Sequence, residues 1–474
     1  MSNDNKTAAR LTGTTNVIVP AGVLGMGVRG RDLRAGIAAG AHAIAIDAGS
    51  TDSGPAALAT GLSKYSRDAI KRDLIPLMKA QAEAGIPLLV GSCGTSGCDI
   101  AVDWTRDIVL EIAREQGLTP RIALLYSEQD CKLIETRSEA GAVVPLPPMG
   151  ALDGATLRAC DHIVALMGPE PYIAALEAGA DIVLGGRTTD TAVIAAVPLM
   201  RGAGAGPAWH AGKIAECGGL CTADPMDGGV LIRVGADAFE IEPLSPANRC
   251  DPDSVSAHML YENADPFLLP EPGGILDVTK ARYEAVDDRA VRVTGSVFVP
   301  RPYTMKLEGA SSGRFQTIML IGIQDRKVLA ALDVFTQRLQ AALIQRVEHA
   351  IGEAAGAYDI SLRVYGWNAV SGEAVPAGTA PPREVGVLFV ATADTQAMAT
   401  RIAKTCNPYF FHFPLDRNME IPSYAFPFSP AEIERGQLYE FRLNHVIHVA
   451  DGLELVRMAW AQPQGTQRKE AVHA

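Results

Sequence analysis

The residues of this sequence that could do chemistry are concentrated in short polar loops, each of which follows an apolar run. The loop at 91–99 has the sequence Gly-Ser-Cys-Gly-Thr-Ser-Gly-Cys-Asp. Glycines and small hydroxyls between a strand and a helix leave backbone N–H groups available for an anion. We predict that this loop binds a carboxylate or thioester oxygen through Ser92, Gly94, Thr95 and Ser96.

Two further residues of this loop each have two interpretations. Cys93 precedes a predicted helix, where a thiol can be activated as a thiolate, but it could equally be a small buried residue. Asp99 is a candidate acid or base, and it would also serve as the N-cap of the same helix. We keep both residues as catalytic candidates.

A second loop, at 47–55, places two carboxylates and three hydroxyls directly after an apolar run. Paired carboxylates can raise the pKa of one member, which then acts as a general acid or base, or they can hold a divalent ion. The alternative is a structural role in Asx turns and helix capping. We predict that Asp47 and Asp52 are catalytic.

A third loop, at 185–192, has the sequence Gly-Gly-Arg-Thr-Thr-Asp-Thr-Ala. An arginine beside two glycines at the end of a strand can bind a carboxylate with both arms of its guanidinium. We predict that Arg187 anchors the substrate and that Thr188, Thr189 and Asp190 line the same site. The structural alternative is an ion pair between Arg187 and Asp190 that joins neighbouring loops.

Farther along the chain, Lys213 and Glu216 precede a Cys-x3-Cys pair, whose spacing is not typical of zinc sites. We predict that Lys213 and Glu216 contact the substrate and that no metal is bound. His258 and Glu262 are four residues apart and would share one face of a helix, so His258 is a candidate proton carrier. A surface ion pair is the alternative.

The turn formed by Gly25, Gly27 and Gly30 has the G-x-G-x-x-G spacing of a dinucleotide-binding loop. Asp47 follows about 20 residues later, where an acid would bind the ribose. The segment 20–24 separates the first glycine from the preceding strand, whereas such a loop normally follows its strand directly. A nicotinamide-dependent oxidoreductase is therefore only an alternative hypothesis.

The elements that position these loops alternate along the first half of the chain. Apolar runs favour strands at 16–20, 42–47, 86–91, 121–126, 162–167 and 181–185, with helical patterns between them. Ligands bind beyond the carboxyl ends of parallel strands, so we expect the loops to converge on one edge of a sheet. The predicted fold class is α/β: an N-terminal mostly parallel sheet wrapped by helices, plus a C-terminal α+β domain.

The sequence pattern divides the chain into three parts and two tails. We predict an α/β domain at 16–205 that carries the site, a loop-rich bridge at 206–310 that contributes to it, an α+β domain at 311–462, and tails at 1–15 and 463–474. A helix at 328–354 has a predicted buried face of Leu332, Val334, Phe335, Leu339, Leu343 and Val347. Domains of this kind often dimerise, so we expect a homo-oligomer.

Composition narrows the class of protein. The chain has 474 residues, a net charge of −12 and eight dispersed cysteines. An acidic chain argues against binding to nucleic acid or to an anionic membrane. No apolar run reaches the length of a membrane span, and the start lacks the apolar segment of a signal peptide. We expect a cytoplasmic enzyme with reduced cysteines and a small-molecule substrate.

Four motifs resemble the acyclic terpene utilisation (AtuA) family, namely the loops at 47–55, 91–99 and 185–190 and the closing segment 439–445, Tyr-Glu-Phe-Arg-Leu-Asn-His. The resemblance runs in fragments from about residue 16 to 460. It implies a soluble catabolic enzyme whose N-terminal α/β half carries the site. It also implies work on a branched carboxylic acid or its coenzyme A thioester, as a hydratase or another lyase.

We therefore expect a lyase that hydrates, dehydrates or cleaves a hydroxylated acid or its acyl-CoA, with no cofactor other than the coenzyme A of the substrate. Such chemistry needs an anion anchor, an acid–base pair and donors for a developing enolate. Arg187 and the loop at 91–97 would be the anchor, and Asp47, Asp52 or His258 would transfer the proton. A non-catalytic subunit that binds an acyl group is a further alternative.

Overall fold

The computed structural model describes residues 9–261 and 263–463. The chain forms two compact units. The first contains the described residues up to Ser311 together with those from Glu440 onward, and the second is Ser312–Tyr439. Of the tails predicted at 1–15 and 463–474, residues 1–8 and 464–474 lie outside the described residues, as does Glu262.

The secondary structure alternates as the sequence pattern predicts through most of the first half. The strands are β1 (Thr15–Val19), β2 (Ala43–Asp47), β3 (Leu88–Gly91), β4 (Ile122–Tyr126), β5 (Val143–Pro145), β6 (His162–Ala165), β7 (Ile182–Gly185), β8 (Val230–Val234), β9 (Ala238–Pro243), β10 (Leu268–Glu271), β11 (Gly274–Asp277), β12 (Arg282–Ala285), β13 (Val291–Thr294), β14 (Val297–Pro300), β15 (Thr304–Ile323), β16 (Tyr358–Tyr365), β17 (Val385–Ala393), β18 (Ile433–His448) and β19 (Arg457–Ala461). The α-helices are α1 (Gly30–Ala38), α2 (Ala56–Thr60), α3 (Arg67–Ala84), α4 (Asp99–Gln116), α5 (Cys131–Glu139), α6 (Gly154–Arg158), α7 (Glu170–Glu177), α8 (Asp190–Met200), α9 (Ala205–Ala215), α10 (Pro252–Ala257), α11 (Arg326–Leu329), α12 (Leu332–Ala350), α13 (Gln396–Cys406) and α14 (Tyr409–His412).

The first unit is built on a ten-stranded sheet in the order β12-β13-β9-β8-β1-β2-β3-β7-β4-β19. Its five central strands, β1, β2, β3, β7 and β4, are parallel, and all of their residues are buried. Strands covered on both faces carry continuous apolar runs, which is why the sequence pattern predicts them well. The mixed sheet with its helices confirms the predicted α/β class.

Antiparallel strands extend this sheet on both sides. β8 pairs with β1, and β9, β13 and β12 follow it, so residues predicted as a loop-rich bridge supply four strands. These strands are short and lie between turns rich in Gly, Pro and Asp, which the pattern favours as loops. β6 is predicted in the parallel sheet, and this prediction is wrong, because β6 pairs antiparallel with β15 at Leu307–Ala310.

In the second unit, β17 pairs antiparallel with both β15 and β16. α12 and α13 pack on this sheet, and the core includes Phe335, Leu339, Leu343 and Val347 of the predicted helix face. Val334 is an exception to that face, since 55% of it is exposed. No helix in the described part of the chain is both long and apolar enough to cross a bilayer.

Candidate active site

The loops that follow β1, β2, β3 and β7 meet at the carboxyl edge of the parallel strands. Backbone hydrogen bonds join each loop to the next: the Leu24 N–H donates to the Asp47 carbonyl at 2.8 Å, the Ala48 N–H to Gly91 at 2.8 Å, and the Ser92 N–H to Gly186 at 3.1 Å. At Gly97 (φ 65°) a Cβ atom would lie 2.2 Å from the Arg187 backbone nitrogen, so the approach of these two loops requires glycine.

A cavity of about 550 Å³ lies at this edge. Its lining comes from the segment after β1, the loop after β2, the start of α8 and the segment after α9. Its ionisable residues are Arg29, Asp47, Asp52, Lys64, Tyr65, Asp190, Glu216, Cys217 and Tyr261. The volume is that of a small-molecule site.

Asp47 ends β2 and lines this cavity, although only 5% of the residue is exposed. Its Oδ2 accepts a hydrogen bond from the Gly49 N–H at 2.8 Å, while Oδ1 is buried and has no hydrogen-bond partner among the described residues. Burial, together with the negative charge of Asp190, raises the pKa of Asp47 well above its usual value and outweighs the opposite effect of Arg187. A carboxyl whose pKa is raised in this way is a candidate general acid.

Asp190 is the first residue of α8, which packs against β1, β2 and β3 and so holds this carboxyl over the edge of the sheet. Burial raises the pKa of Asp190 to about 6, although Arg187 opposes the shift. Asp52 is exposed at the cavity, and its charge contributes to the raised pKa of Asp190. The two loops thus place a second titratable carboxyl near Asp47.

A buried pair continues the same cluster. Lys213 Nζ donates to Glu216 Oε1 at 2.6 Å, and Glu216 Oε2 accepts from the Thr191 hydroxyl at 3.1 Å. Burial raises the pKa of Glu216 to about 7, and burial together with the charge of Glu216 raises the pKa of Glu271 to about 8. Burial disfavours the charge of Lys213, but Glu216, Glu271 and Asp190 raise its pKa overall. The ammonium of Lys213 is therefore a shared counter-charge for these three acids.

Arg187, the predicted substrate anchor, is buried against an acid that the sequence analysis does not single out. Its Nε donates to Glu308 Oε2 at 3.0 Å, and its Nη atoms donate to the hydroxyls of Ser92 and Thr51 at 3.2 and 3.3 Å. Burial opposes the ionisation of Glu308, but Arg187 and Lys306 lower its pKa to about 2. The geometry of Arg187 therefore fits an internal ion pair better than a substrate anchor. Its closer acidic partner is Glu308 rather than Asp190.

The loop at 91–99 contributes one side of the cavity through Thr95. Ser92 and Thr95 have φ values of 46° and 80°, which are uncommon for residues other than glycine and recur at functional sites. Thr95 lines the cavity, and its hydroxyl accepts from the Lys64 N–H at 3.1 Å. The Ser92 hydroxyl is completely buried and donates to the Thr188 carbonyl at 3.2 Å, so it braces the loops.

Other candidates in this loop lie in its interior. Cys93 is completely buried, and burial raises its pKa to about 12, so it is a neutral core thiol and not an activated nucleophile. A Cβ atom at Gly94 would lie 2.7 Å from the Ala101 Cβ, which places Gly94 against α4. The Ser96 hydroxyl donates to Cys98 Sγ at 3.3 Å.

The surroundings of Thr188 and Thr189 also argue against direct contact with a substrate. Thr188 is completely buried, and its hydroxyl lies 2.7 Å from the Tyr172 hydroxyl. Thr189 precedes α8, and its Oγ1 is buried without a hydrogen-bond partner in the described part of the chain. Asp99 is the first residue of α4 and lies outside the cavity, where its Oδ2 accepts from Arg457 Nη2 at 2.8 Å.

His258 follows α10 and lies near the cavity. Only 5% of it is exposed, and its Nε2 has no hydrogen-bond partner among the residues that the structure describes. Burial, and then the charge of Lys213, lowers the pKa of His258 to about 4, so the imidazole is neutral at neutral pH. Glu262, its predicted companion, lies outside the described residues.

Two groups of side chains could hold a metal ion within residues 9–261 and 263–463. One is Glu216, Cys217 and His258 beside the cavity, and the other is formed by Cys98, Glu128 and His162. In each group the potential ligand atoms lie within 4.8 Å of one another.

The glycine-rich turn after β1 already holds a carboxylate. Asp73 on α3 accepts the N–H groups of Gly25, Gly27 and Val28 at 2.7, 3.0 and 3.0 Å. These are the donors that a dinucleotide-binding turn would offer to a pyrophosphate. The carboxylate of Asp73 therefore already occupies the N–H groups of the turn, and the geometry disfavours a nicotinamide cofactor at this position.

Asp73→Asn should lower the free energy of unfolding by roughly 1.5–3 kcal/mol. The carboxylate has two charged acceptor oxygens for these N–H groups, whereas the amide has one neutral acceptor oxygen. Urea unfolding at neutral pH measures the difference. The matched control is Glu83→Gln, an exposed position on the same helix, for which we expect no loss. Equal stability of the two variants would contradict the structural role of Asp73.

A sequence model of the acyclic terpene utilisation family protein AtuA matches residues 60–425, more than half of the chain. The chain belongs to the AtuA family. The resemblance inferred from the loop motifs is thereby confirmed. Searches among curated proteins and among solved structures gave no match.

In this AtuA family protein the matched region contains the loops at 91–99 and 185–190 but not the loop that carries Asp47. Three acids of the site region, Asp73, Glu271 and Glu308, were not predicted as site residues from the sequence. Asp73 lies on the buried face of its helix beside Leu74 and Leu77, and an acid on an apolar face is a detectable signal. Glu271 precedes Pro-Gly-Gly, a pattern that predicts only a turn.

Proposed function

We propose that this AtuA family protein is a lyase that adds or removes water by general acid–base catalysis. The observation that carries the proposal is a pair of neighbouring carboxyls at one cavity, Asp47 and Asp190, whose pKa values are both raised by burial. Asp47 has a pKa well above its usual value, whereas that of Asp190 is about 6. At neutral pH Asp47 would be the acid and Asp190 the base.

In the dehydration direction, the Asp190 carboxylate takes a proton from the carbon next to the substrate carbonyl. The bond from the following carbon to its hydroxyl oxygen breaks, and a C=C double bond forms. The Asp47 proton passes to the leaving oxygen, which departs as water. Transfer of one proton from Asp190 back to Asp47 through solvent restores both groups, and hydration is the same sequence reversed.

The charge of the cavity favours an uncharged reacting group. Asp52 and Asp190 line it, so a free carboxylate would meet like charges there. The acyl end of a thioester carries no charge. We therefore favour a hydroxylated, branched acyl-CoA over the free acid, with the exposed cavity residue Lys64 available to the coenzyme A phosphates.

The test is incubation of the protein in D2O with a panel of branched 3-hydroxyacyl-CoA thioesters and the matching free acids, followed by mass spectrometry and proton NMR. We expect the compounds to lose water and to incorporate deuterium at the carbon next to the carbonyl. Thioesters should react faster than the free acids. Asp99→Asn, outside the cavity, should retain turnover. The absence of both water loss and deuterium incorporation for every compound would reject the lyase, and NAD-dependent oxidation would favour the alternative oxidoreductase.

The proposed acid–base pair also predicts a bell-shaped dependence of kcat/KM on pH. The rate should rise through about pH 6 as Asp190 ionises, and it should fall at higher pH when Asp47 loses its proton. Initial rates in buffers of constant ionic strength measure the profile. A rate that is independent of pH across both limbs would contradict the assignment.

A further inference from the structure

Glu216, Cys217 and His258 bring three different donor atoms to the edge of the cavity. A carboxylate oxygen, a thiol sulfur and an imidazole nitrogen lie within 4.8 Å of one another. Glu216 and Cys217 line the cavity directly after α9, and His258 arrives from a separate segment after α10. Zinc is bound in proteins by this combination of nitrogen, sulfur and oxygen ligands.

The imidazole of His258 has a nitrogen that the protein leaves unpaired. Its Nε2 is buried and makes no hydrogen bond to any residue in the described part of the chain. A buried polar atom without a partner is costly, and native structures nearly always satisfy such atoms. A metal ion next to Nε2 would remove that cost.

Acidic side chains outnumber basic ones around this group. Asp47, Asp52, Asp190 and Glu216 line the cavity together with the basic residues Arg29 and Lys64, and Lys213 donates to Glu216 at 2.6 Å. Arg187 is shared between two acids, since it lies 3.0 Å from Glu308 and 3.8 Å from Asp190. A divalent cation would supply the missing positive charge.

We propose that Glu216, Cys217 and His258 bind one divalent metal ion of the zinc type at this cavity. Three protein ligands leave one coordination position open, as in catalytic rather than structural zinc sites. The open position would take the carbonyl or hydroxyl oxygen of the substrate, the task predicted for Arg187. This last assignment rests on the proposed function, whereas the binding of metal does not.

The second group, Cys98, Glu128 and His162, is a matched control. Its members satisfy one another without a metal, since His162 Nδ1 lies 2.6 Å from Glu128 Oε1 and the Ser96 hydroxyl donates to Cys98. Cys98 is also completely buried. Glu216 of the first group also has internal partners, Lys213 and Thr191, so the two groups differ at the histidine. Nε2 of His258 is buried without a hydrogen bond to the described residues, whereas His162 is paired with Glu128.

Cobalt(II) titration of the full chain, first stripped with a chelator, tests the proposal. We expect one equivalent to bind, with visible d–d absorption and a near-ultraviolet band from charge transfer between thiolate and cobalt. Cys217→Ser should lose the charge-transfer band, and His258→Gln should weaken cobalt binding by at least about 100-fold. Cys98→Ser should retain both the band and the affinity.

Absence of cobalt binding by the wild type, or a band that survives Cys217→Ser and disappears in Cys98→Ser, would overturn the proposal. Thermal unfolding of each stripped variant shows whether a lost band reflects a lost fold, and His258→Gln gives a second reading that does not depend on the thiol. Cobalt binding without turnover of any acyl-CoA would reject the lyase and keep the metal site. If the stripped protein turns over an acyl-CoA but binds no cobalt, the metal site is rejected and the lyase is kept.

Discussion

Replacing Asp47 with asparagine should lower kcat for the proposed dehydration by about 10²- to 10⁴-fold, the usual loss when a positioned general acid is removed. The amide is close in shape to the protonated carboxyl and keeps an oxygen that can accept from the Gly49 N–H. The loss should therefore appear in kcat more than in KM. Steady-state rates of the variant and of Asp99→Asn measure it, and retention of more than about a tenth of wild-type turnover would reject Asp47 as the acid.

The same substitution should stabilise the fold at high pH. The pKa of Asp47 is raised in the folded state, so the carboxyl contributes most to stability below its unfolded pKa of about 3.9, and that contribution is lost as pH rises through the folded pKa. Asparagine does not titrate. The stability of Asp47→Asn relative to wild type should therefore increase with pH, which urea unfolding at several pH values measures. A constant difference would contradict the raised pKa.

Arg187→Met should be among the most destabilising single changes in the first unit, with an expected loss of roughly 3–5 kcal/mol. The substitution leaves Glu308, only 4% exposed, without its buried counter-charge. Lys306 still contacts Glu308 at 2.8 Å, but this side chain is 42% exposed and can compensate only in part. Chemical denaturation monitored by circular dichroism measures the loss.

The double variant Arg187→Met with Glu308→Gln is the matched control. It removes both charges, so it should recover a large part of the stability that the single arginine variant loses. Equal stability of the single and double variants would show that the ion pair is not the source of the effect. In that case the hydrogen bonds from Arg187 to Ser92 and Thr51 would carry it.

The elements of the first half were predictable because their signals are local. Buried parallel strands carry unbroken apolar runs, and the loops between strand and helix are recognisable by their glycines and small hydroxyl residues. The convergence of those loops follows from the rule that parallel strands end at one edge of a sheet. The edge strand β12 was not predictable to the same degree, because it is four residues long and lies among turns.

For the candidate site, the meeting of the loops was predictable, but the contacts of their side chains were not. The sequence shows that Arg187 follows a strand, but it does not show that Glu308, 121 residues later, will be its partner. The choice between a substrate anchor and an internal ion pair depends on that long-range contact. Asp73 illustrates the same limit, since its hydrogen bonds to Gly25 and Gly27 join residues 48 and 46 positions apart.

The closing strand β19 has a consequence for the order in which the protein matures. It pairs with β4 at the outer edge of the sheet, yet it follows the whole second unit along the chain. A ribosome releases it late, and until then the edge of β4 offers unpaired backbone donors and acceptors to other strands. The nascent chain is thus most open to misassembly, or to a holding chaperone, during the interval in which the second unit is being synthesised.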